Sequence, residues 1–213
     1  MRFQLQRLGF QYISDLHLER HRRVPIIPAL AEYLILAGDI GHPQTELYHE
    51  FLLQCSRQHS KVFMVFGNHE WDRGSPYPYT RLFPKNVHVL ENQTYTFPGA
   101  ELTIVGCTLW TPQVRLAENC ASVRFLERTL RALRHASVCV THHLPSYQLI
   151  TPQFARYPRK DRFANNLDML FRAPYAPRVW ISGHSHCVLE RQIGNTHCRI
   201  NAQPWKTLQV EAR

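Results

Sequence analysis

The sequence predicts an α/β fold whose strands are buried on both faces, and three observations carry that prediction. Short continuous apolar runs recur at residues 10–13, 33–37, 62–66, 138–140 and 179–181. Amphipathic stretches of helical period lie between some of them. Each apolar run hands over to a polar island: Asp15-Leu16-His17, Gly38-Asp39, Gly67-Asn68-His69-Glu70, Thr141-His142-His143 and Gly183-His184-Ser185-His186. Uninterrupted apolar runs of this length suit strands with helices packed outside the sheet. In open α/β sheets ligands collect beyond the carboxyl ends of strands, which is where all five islands fall.

Taken in order, the first run, Phe10 to Ile13, leads into Asp15, and the second, Tyr33 to Ala37, leads into Gly38. Pro25 and Pro28 bracket the start of a short helix expected over residues 29–32. Leu47, Phe51, Leu52 and Cys55 recur at helical spacing, so a helix is expected over 46–58 with Thr45 as its N-cap. Val123, Leu126, Leu130 and Leu133 form a second stripe, placing a helix over 122–134. Both stripes are read as core packing. Between them the pattern turns to consecutive strands at 87–90, 94–97 and 102–109, separated by Asn92 and by Pro98-Gly99. Three more strands are expected at 188–192, 197–201 and 207–210, the first two joined by the hairpin signal Gly194-Asn195. The stretch 145–162 has three prolines and no clean period. A loop of that length is more often functional than idle.

The 213 residues suffice for one domain spanning 1–213. The hydrophobic fraction of 44% allows a substantial core. The formal charge of +9 fits anionic ligands as well as plain solubility, and does not choose between them. No apolar stretch follows Arg2 and Arg7, so no signal peptide is expected. No run approaches the ~18 apolar residues of a membrane span. The six cysteines include no CxxC pair, so free thiols and a reducing, cytoplasmic location are expected.

Carboxylate, imidazole and carboxamide side chains at five strand ends are the inventory of a two-metal hydrolytic centre. In their order and identity they resemble the calcineurin-like metallophosphoesterases, whose pattern reads D-x-H, G-D, G-N-H-[DE], a histidine closing a strand, and G-H-x-H. The matches run from residue 15 to residue 186. The resemblance implies a four-layer sandwich of two mixed sheets flanked by helices. It also implies that Asp39 bridges two divalent ions, that Asp15, His17 and His186 complete one shell, and that Asn68, His142 and His184 complete the other. A hydroxide held between the ions would be the nucleophile. His69 would be the proton donor, with Glu70 orienting it. His143 is read as supporting the ligands or touching substrate. Mixed nitrogen and oxygen donors suit Mn²⁺ first, with Fe, Zn²⁺ or Ni²⁺ as alternatives.

Residues two apart in an extended segment point the same way, which would let Asp15 with His17, and His184 with His186, reach neighbouring ions. Gly38, Gly67 and Gly183 are expected to permit tight turns. Arg20, Arg22 and Arg23, and Arg156, Arg159, Lys160 and Arg162, are either phosphate contacts or solvated loops. Tyr147, Phe154 and Tyr157 either stack on a base or pack, and Asn165 and Asn166 are candidate pocket residues. The remaining histidines, 21, 42, 49, 59, 88, 135 and 197, are read as ordinary.

Three features narrow the resemblance to the compact stand-alone phosphoesterases, and a fourth, the ending, leaves the last segment without an assigned role. Ile40-Gly41-His42 follows Gly38-Asp39 where purple acid phosphatases carry a ligand tyrosine. The G-D-x-V-D-R-G block of protein phosphatases is absent, and the chain is too short for a nuclease capping domain. The ending Asn201-Ala202-Gln203-Pro204 departs from the Asn-Pro expected there. The expected function is hydrolysis of a small nucleotide-like phosphodiester. A phosphomonoesterase, a nuclease acting on polymer and a non-catalytic scaffold are the alternatives, and the oligomeric state is left open.

Overall fold

The computed structural model describes residues 7–133, 136–202 and 206–211. The chain runs through β1 (Arg7–Ile13), β2 (Tyr33–Ala37), α1 (Glu46–Gln58), β3 (Lys61–Val65), the one-turn α2 (Tyr77–Thr80) and β4 (Val87–Val89). It continues with β5 (Gln93–Thr96), β6 (Leu102–Cys107), α3 (Leu116–Ala132), β7 (Ala136–Thr141), α4 (Pro152–Ala155) and α5 (Asp168–Arg172). It closes with β8 (Val179–Ser182), β9 (Val188–Ile193), β10 (Thr196–Asn201) and β11 (Lys206–Glu211). The first sheet has the order β11-β1-β2-β3-β4, and the second β5-β6-β7-β8-β10-β9. Both are mixed: β1 to β4 are parallel with β11 antiparallel at the edge, and β6, β7, β8 and β10 are parallel between antiparallel β5 and β9.

The period of two in each strand decides the layering. In β2, Ile35 and Ala37 face the second sheet, while Leu34 and Leu36 face α1. In β7 and β8, Val138, Val140, Val179 and Ile181 complete the core between the sheets, and Cys139 and Trp180 pack outward against α3 and α5. Every one of these side chains is buried. That is why the strands read as continuous apolar runs rather than as alternating ones. The result is four layers: α1, the first sheet, the second sheet, and α3 with α5, as the resemblance implies. Fully burying each of the larger side chains contributes roughly 1.5–3 kcal/mol.

Helix α1 keeps the predicted bounds, and Thr45 caps it by accepting the Tyr48 N–H on its hydroxyl. Helix α3 begins six residues earlier than the apolar stripe predicts, at Leu116. Its first turns turn polar Asn119 and Ser122 inward and leave Leu116 in solvent, so no apolar period marks them. Arg134, the predicted helix end, lies outside the described residues. The short helix expected over 29–32 is absent. Only four residues separate Pro28 from β2, and the Leu30 N–H goes to the Gln11 side-chain oxygen instead of an i−4 carbonyl. The Gly194-Asn195 hairpin joins β9 and β10 as predicted, with Gly194 at φ 54°.

At the carboxyl ends of the strands, Thr108 ties three segments together. Its hydroxyl lies 2.8 Å from the Phe66 carbonyl and 2.7 Å from a Glu91 oxygen, and its N–H also reaches Glu91. A hydroxyl has one proton, so both contacts are satisfied only when the Glu91 carboxyl brings its own. Burial accordingly pushes the Glu91 carboxyl up from 4.5 to about 7, against the lowering pull of the Thr108 contacts. A carboxyl raised on folding adds stability that is complete below its unfolded value and fades as pH rises through its folded value. Wild-type stability is therefore expected to fall between ~pH 5 and ~pH 8 by on the order of 3 kcal/mol from this group. Glu91→Gln reproduces the protonated form. It should match wild type in acid and exceed it at ~pH 8 by a similar amount, as read by urea unfolding at the two pH values.

Candidate metal centre

The five islands meet at one edge of the two sheets, and the backbone there is unusual. Asp15, His17, Asp39, His184 and His186 all have left-handed φ values, between 48° and 66°. Among the described residues only Asn92 and Leu109 share that feature outside glycine, so the strained positions concentrate at the islands. Each such residue costs roughly 1–2 kcal/mol. The cost is offset by bonds that lock the loops to each other. The N–H groups of Asp15 and His17 donate to the carbonyls of Gly38 and Asp39, each at 3.0 Å. The His184 N–H donates to Asp15 Oδ1 at 2.9 Å. The extended geometry expected for the Asp15/His17 and His184/His186 pairs is thus corrected. A left-handed residue at both positions bends each segment, and the bend rather than the strand pleat aims the side chains.

Two donor groups result, and both contain Asp39. The first joins Asp15, His17, Asp39 and His186, the second Asp39, His142 and His184, with all donor atoms of a group within 4.8 Å of one another. In the first, His17 Nε2 and His186 Nε2 are 3.2 Å apart, and His186 Nε2 is 3.6 Å from Asp15 Oδ1. In the second, His142 Nε2 is 3.3 Å from Asp39 Oδ2 and 3.2 Å from both His184 Nδ1 and Asn68 Oδ1. The Nδ1 of His142 donates to the Ala37 carbonyl at 3.0 Å, which leaves Nε2 as the free lone pair. Glu19 Oε1 does the same for His17, 3.0 Å from its Nδ1.

Close approach explains two glycines. A Cβ on Gly67 would stand 2.2 Å from Asp39 Oδ1, and one on Gly38, at φ 84°, would stand 2.5 Å from His142 Nδ1. The expectation that Glu70 orients His69 is corrected. Glu70 is fully buried and accepts the N–H groups of Gly67, Asp39 and Ile40 at 2.7, 3.0 and 2.8 Å. It therefore shapes the backbone around Asp39. Burial and the neighbouring Asp39 raise its carboxyl to about 7, against the lowering effect of those N–H groups. The groups that face His69 Nδ1 are Glu19 Oε1 at 3.0 Å and Asp72 Oδ2 at 3.4 Å. Neither carries a motif signal strong enough to single it out beforehand, although Glu19 lies two residues after His17.

His143 is buried beside the second donor group, a placement that suits support of the ligands. Its Nδ1 lies 3.3 Å from the Thr108 carbonyl and its ring centre 4.3 Å from that of His184. Asn165 is also buried. It receives an Asn119 amide hydrogen on Oδ1 and donates to the Leu109 and Leu144 carbonyls, pinning the start of α3 to the site loops instead of lining a pocket. Asn166 and Arg22 are exposed. The loop aromatics converge: Phe154 and Tyr157 pack on Phe163, whose ring centre is 5.1 Å from that of His184. Arg115, which no motif marks, lies over the rings of Trp71 and Trp110, 4.9 and 4.5 Å from their centres.

The electrostatics fit cations. Burial pushes the Asp15 carboxyl up, with Asp39 adding to the effect, while His142 draws it down. At Asp39 burial acts upward but is outweighed by His142 and the His69 contacts, which hold the carboxyl well below its usual range. His142 is drawn up to about 9, burial pulling down and Asp39 more than compensating. Burial drives His184 well below its ordinary value, with His143 and His142 acting the same way. Two buried carboxylates with no lysine or arginine partner among the described residues, beside a His184 imidazole that burial holds neutral, are a donor set that calls for divalent charge.

The sequence profile of the family described as calcineurin-like phosphoesterase matches residues 12–188. The chain belongs to that family. A calcineurin-like phosphoesterase is a dinuclear metal-dependent hydrolase of phosphoric esters, and the two donor groups are suited to its two divalent ions. An uncharacterized protein of Acanthamoeba polyphaga mimivirus is 22% identical, over 94% of this chain and 96% of its own. Among solved structures, this phosphoesterase is similar to the phosphopantetheinyl hydrolase PptH of Mycobacterium tuberculosis, with a TM-score of 0.69 and 17% identity over 95% of both chains. It is also similar to TT1561 of Thermus thermophilus, with a TM-score of 0.67 and 10% identity over 98% of this chain and 100% of the other. At these identities the solved structures establish the shared fold. None of the phosphoesterase's described helices is long and apolar enough to cross a membrane.

Proposed function

We propose that this phosphoesterase hydrolyses a small nucleotide-like phosphodiester, with Mn²⁺ as its preferred metal. Asp15, His17, Asp39 and His186 would hold one ion, and Asp39, Asn68, His142 and His184 the other. When bound, the metal pair supplies an acidified water for attack and neutralises charge on the phosphoryl oxygens. The observation that carries the reading is the placement of His69. Its Nε2 lies 4.0 Å from Oδ2 of the shared Asp39, and its Nδ1 faces Glu19, so its proton-bearing ring points into the gap between the donor groups. A carboxylate at Nδ1 holds the tautomer with a hydrogen there or stabilises the imidazolium, which can give the Nε2 proton to a leaving alkoxide. Phe163 beside His184 offers a face for a base, and Arg115, whose guanidinium lies over Trp71 and Trp110 and 3.5 Å from Glu118 Oε1, offers a cation for an anionic substituent.

The intact donor set and His69 weigh against a non-catalytic scaffold. The basic residues of both predicted clusters are exposed and on separate loops, which favours a small substrate over a polymer. We read residues 1–213 as a single domain. All six cysteines are free, which supports a reducing, cytoplasmic setting. The test compares bis-p-nitrophenyl phosphate with p-nitrophenyl phosphate in Mn²⁺. The diester should be turned over at least ~10-fold faster in kcat/KM, a difference of ~1.4 kcal/mol in barrier. A reversed ratio would assign a phosphomonoesterase.

A further inference from the structure

We propose a third divalent-cation site, of the Zn²⁺ class, formed by His42, His69 and Asp72 on the solvent side of the metal centre. His42 follows Gly41 in the loop between β2 and α1. His69 and Asp72 lie in the single helical turn after Gly67 and at its end. His42 Nε2 is 3.7 Å from Asp72 Oδ2, His69 Nδ1 is 3.4 Å from the same oxygen, and the three donors lie within 4.8 Å of one another. The two rings are nearly parallel, at 15°. In a tetrahedral site with bonds of about 2.0–2.1 Å, neighbouring donors stand about 3.3–3.4 Å apart, so these edges need almost no adjustment.

A second observation points to a ligand independently of the cluster. The His42 side chain is 10% exposed, and neither of its ring nitrogens has a hydrogen-bond partner although both are buried. A buried polar group in that condition requires an explanation. Capping does not provide it, because the helix-start contacts at this position are made by the His42 carbonyl, which accepts from the Thr45 N–H and hydroxyl. Asp72 is half exposed and opens the cluster to solvent. The donors here use Nδ1 of His69, the nitrogen opposite the one facing Asp39, so the site can fill without displacing a ligand of the pair. A cation on Nδ1 would replace the hydrogen that otherwise faces Glu19 Oε1, 3.0 Å away, and would leave the ring hydrogen on Nε2.

The site is tested by equilibrium dialysis of the full chain against Zn²⁺, with bound metal counted by mass spectrometry. Wild type should bind three equivalents, and His42→Ala and Asp72→Asn two each. His197→Ala, at an exposed position on β10, should keep three. Thermal melts of the metal-free variants check folding, and if His42→Ala melts early the half-exposed Asp72→Asn carries the test. Two equivalents or fewer in wild type, three in a folded His42→Ala, or a loss in His197→Ala would each overturn the site. A wild type that binds three equivalents but turns over no diester would leave the site standing while sinking the diester reading.

Discussion

Replacing Asp39 with alanine is expected to lower diester turnover by about 10³-fold or more, the equivalent of ~4 kcal/mol of transition-state stabilisation. Asp39 is the one side chain common to both donor groups, and it is 1% exposed. Its two oxygens also have different duties. Oδ1 accepts the His69 N–H at 2.8 Å and so holds the loop that carries the acid, while Oδ2 faces His142 Nε2 at 3.3 Å. Alanine removes the shared negative charge and the loop contact together. Asp39→Asn separates them, because the amide oxygen can keep the Oδ1 contact while the charge is gone. If the charge between the two ions is what matters, both variants should be equally inactive and both should lose metal during dialysis. An active Asp39→Asn that retains two equivalents would contradict the bridging assignment. In the metal-free protein, losing the Asp39 charge should also return the His142 imidazole from about 9 toward its ordinary range, a shift that histidine NMR titration can read.

His69→Gln has the second largest expected effect, and it should depend on the leaving group. General acid catalysis contributes roughly 10²- to 10⁴-fold where a poor leaving group must be protonated. For a diester with an alkyl or sugar leaving group, kcat should fall by that amount with KM nearly unchanged. For a p-nitrophenyl ester it should fall far less, because that phenolate departs without a proton. The metal pair should stay loaded, since the Nε2 of His69 approaches Asp39 no closer than 4.0 Å and His69 belongs to neither donor group that contains Asp39, while the outer site on His42, His69 and Asp72 should empty, lowering the content from three equivalents to two. Equal losses on both substrates would mean that His69 serves structure or metal binding and donates no proton.

The five strands that matter, the two main helices and the donor residues were legible because each left a local trace. Strands buried on both faces produce apolar runs, α1 shows its stripe and cap, and the islands carry residue types with few other uses. Illegible features depended on partners far away in the chain. Glu70 resembled an orienting carboxylate for its sequence neighbour His69, but the neighbours it serves are the backbone N–H groups of Gly67, Asp39 and Ile40. Glu19, the carboxylate that does face His69, lies fifty residues away in sequence. Asn165 resembled a pocket residue because polar side chains in loops often are, yet burial made it a brace between α3 and two loops. The first turns of α3 were missed for the same cause, their inward residues being polar.

The sequence by itself determined the layered α/β fold, the order of the strand ends and the chemistry of the donor set. These follow from periodicity and from side-chain identity, and both are properties of short stretches of chain. The family resemblance implied how the donors divide around Asp39, but only the tertiary structure decided how the chain bends to bring them together, which carboxylate faces His69, and that His42 joins His69 and Asp72. Those relations rest on left-handed bends at Asp15, His17, Asp39, His184 and His186, held by hydrogen bonds between loops that are distant in sequence. No local preference of aspartate or histidine imposes such a bend. The packed sheets impose it, by bringing the loop ends close enough for those bonds to outweigh the strain.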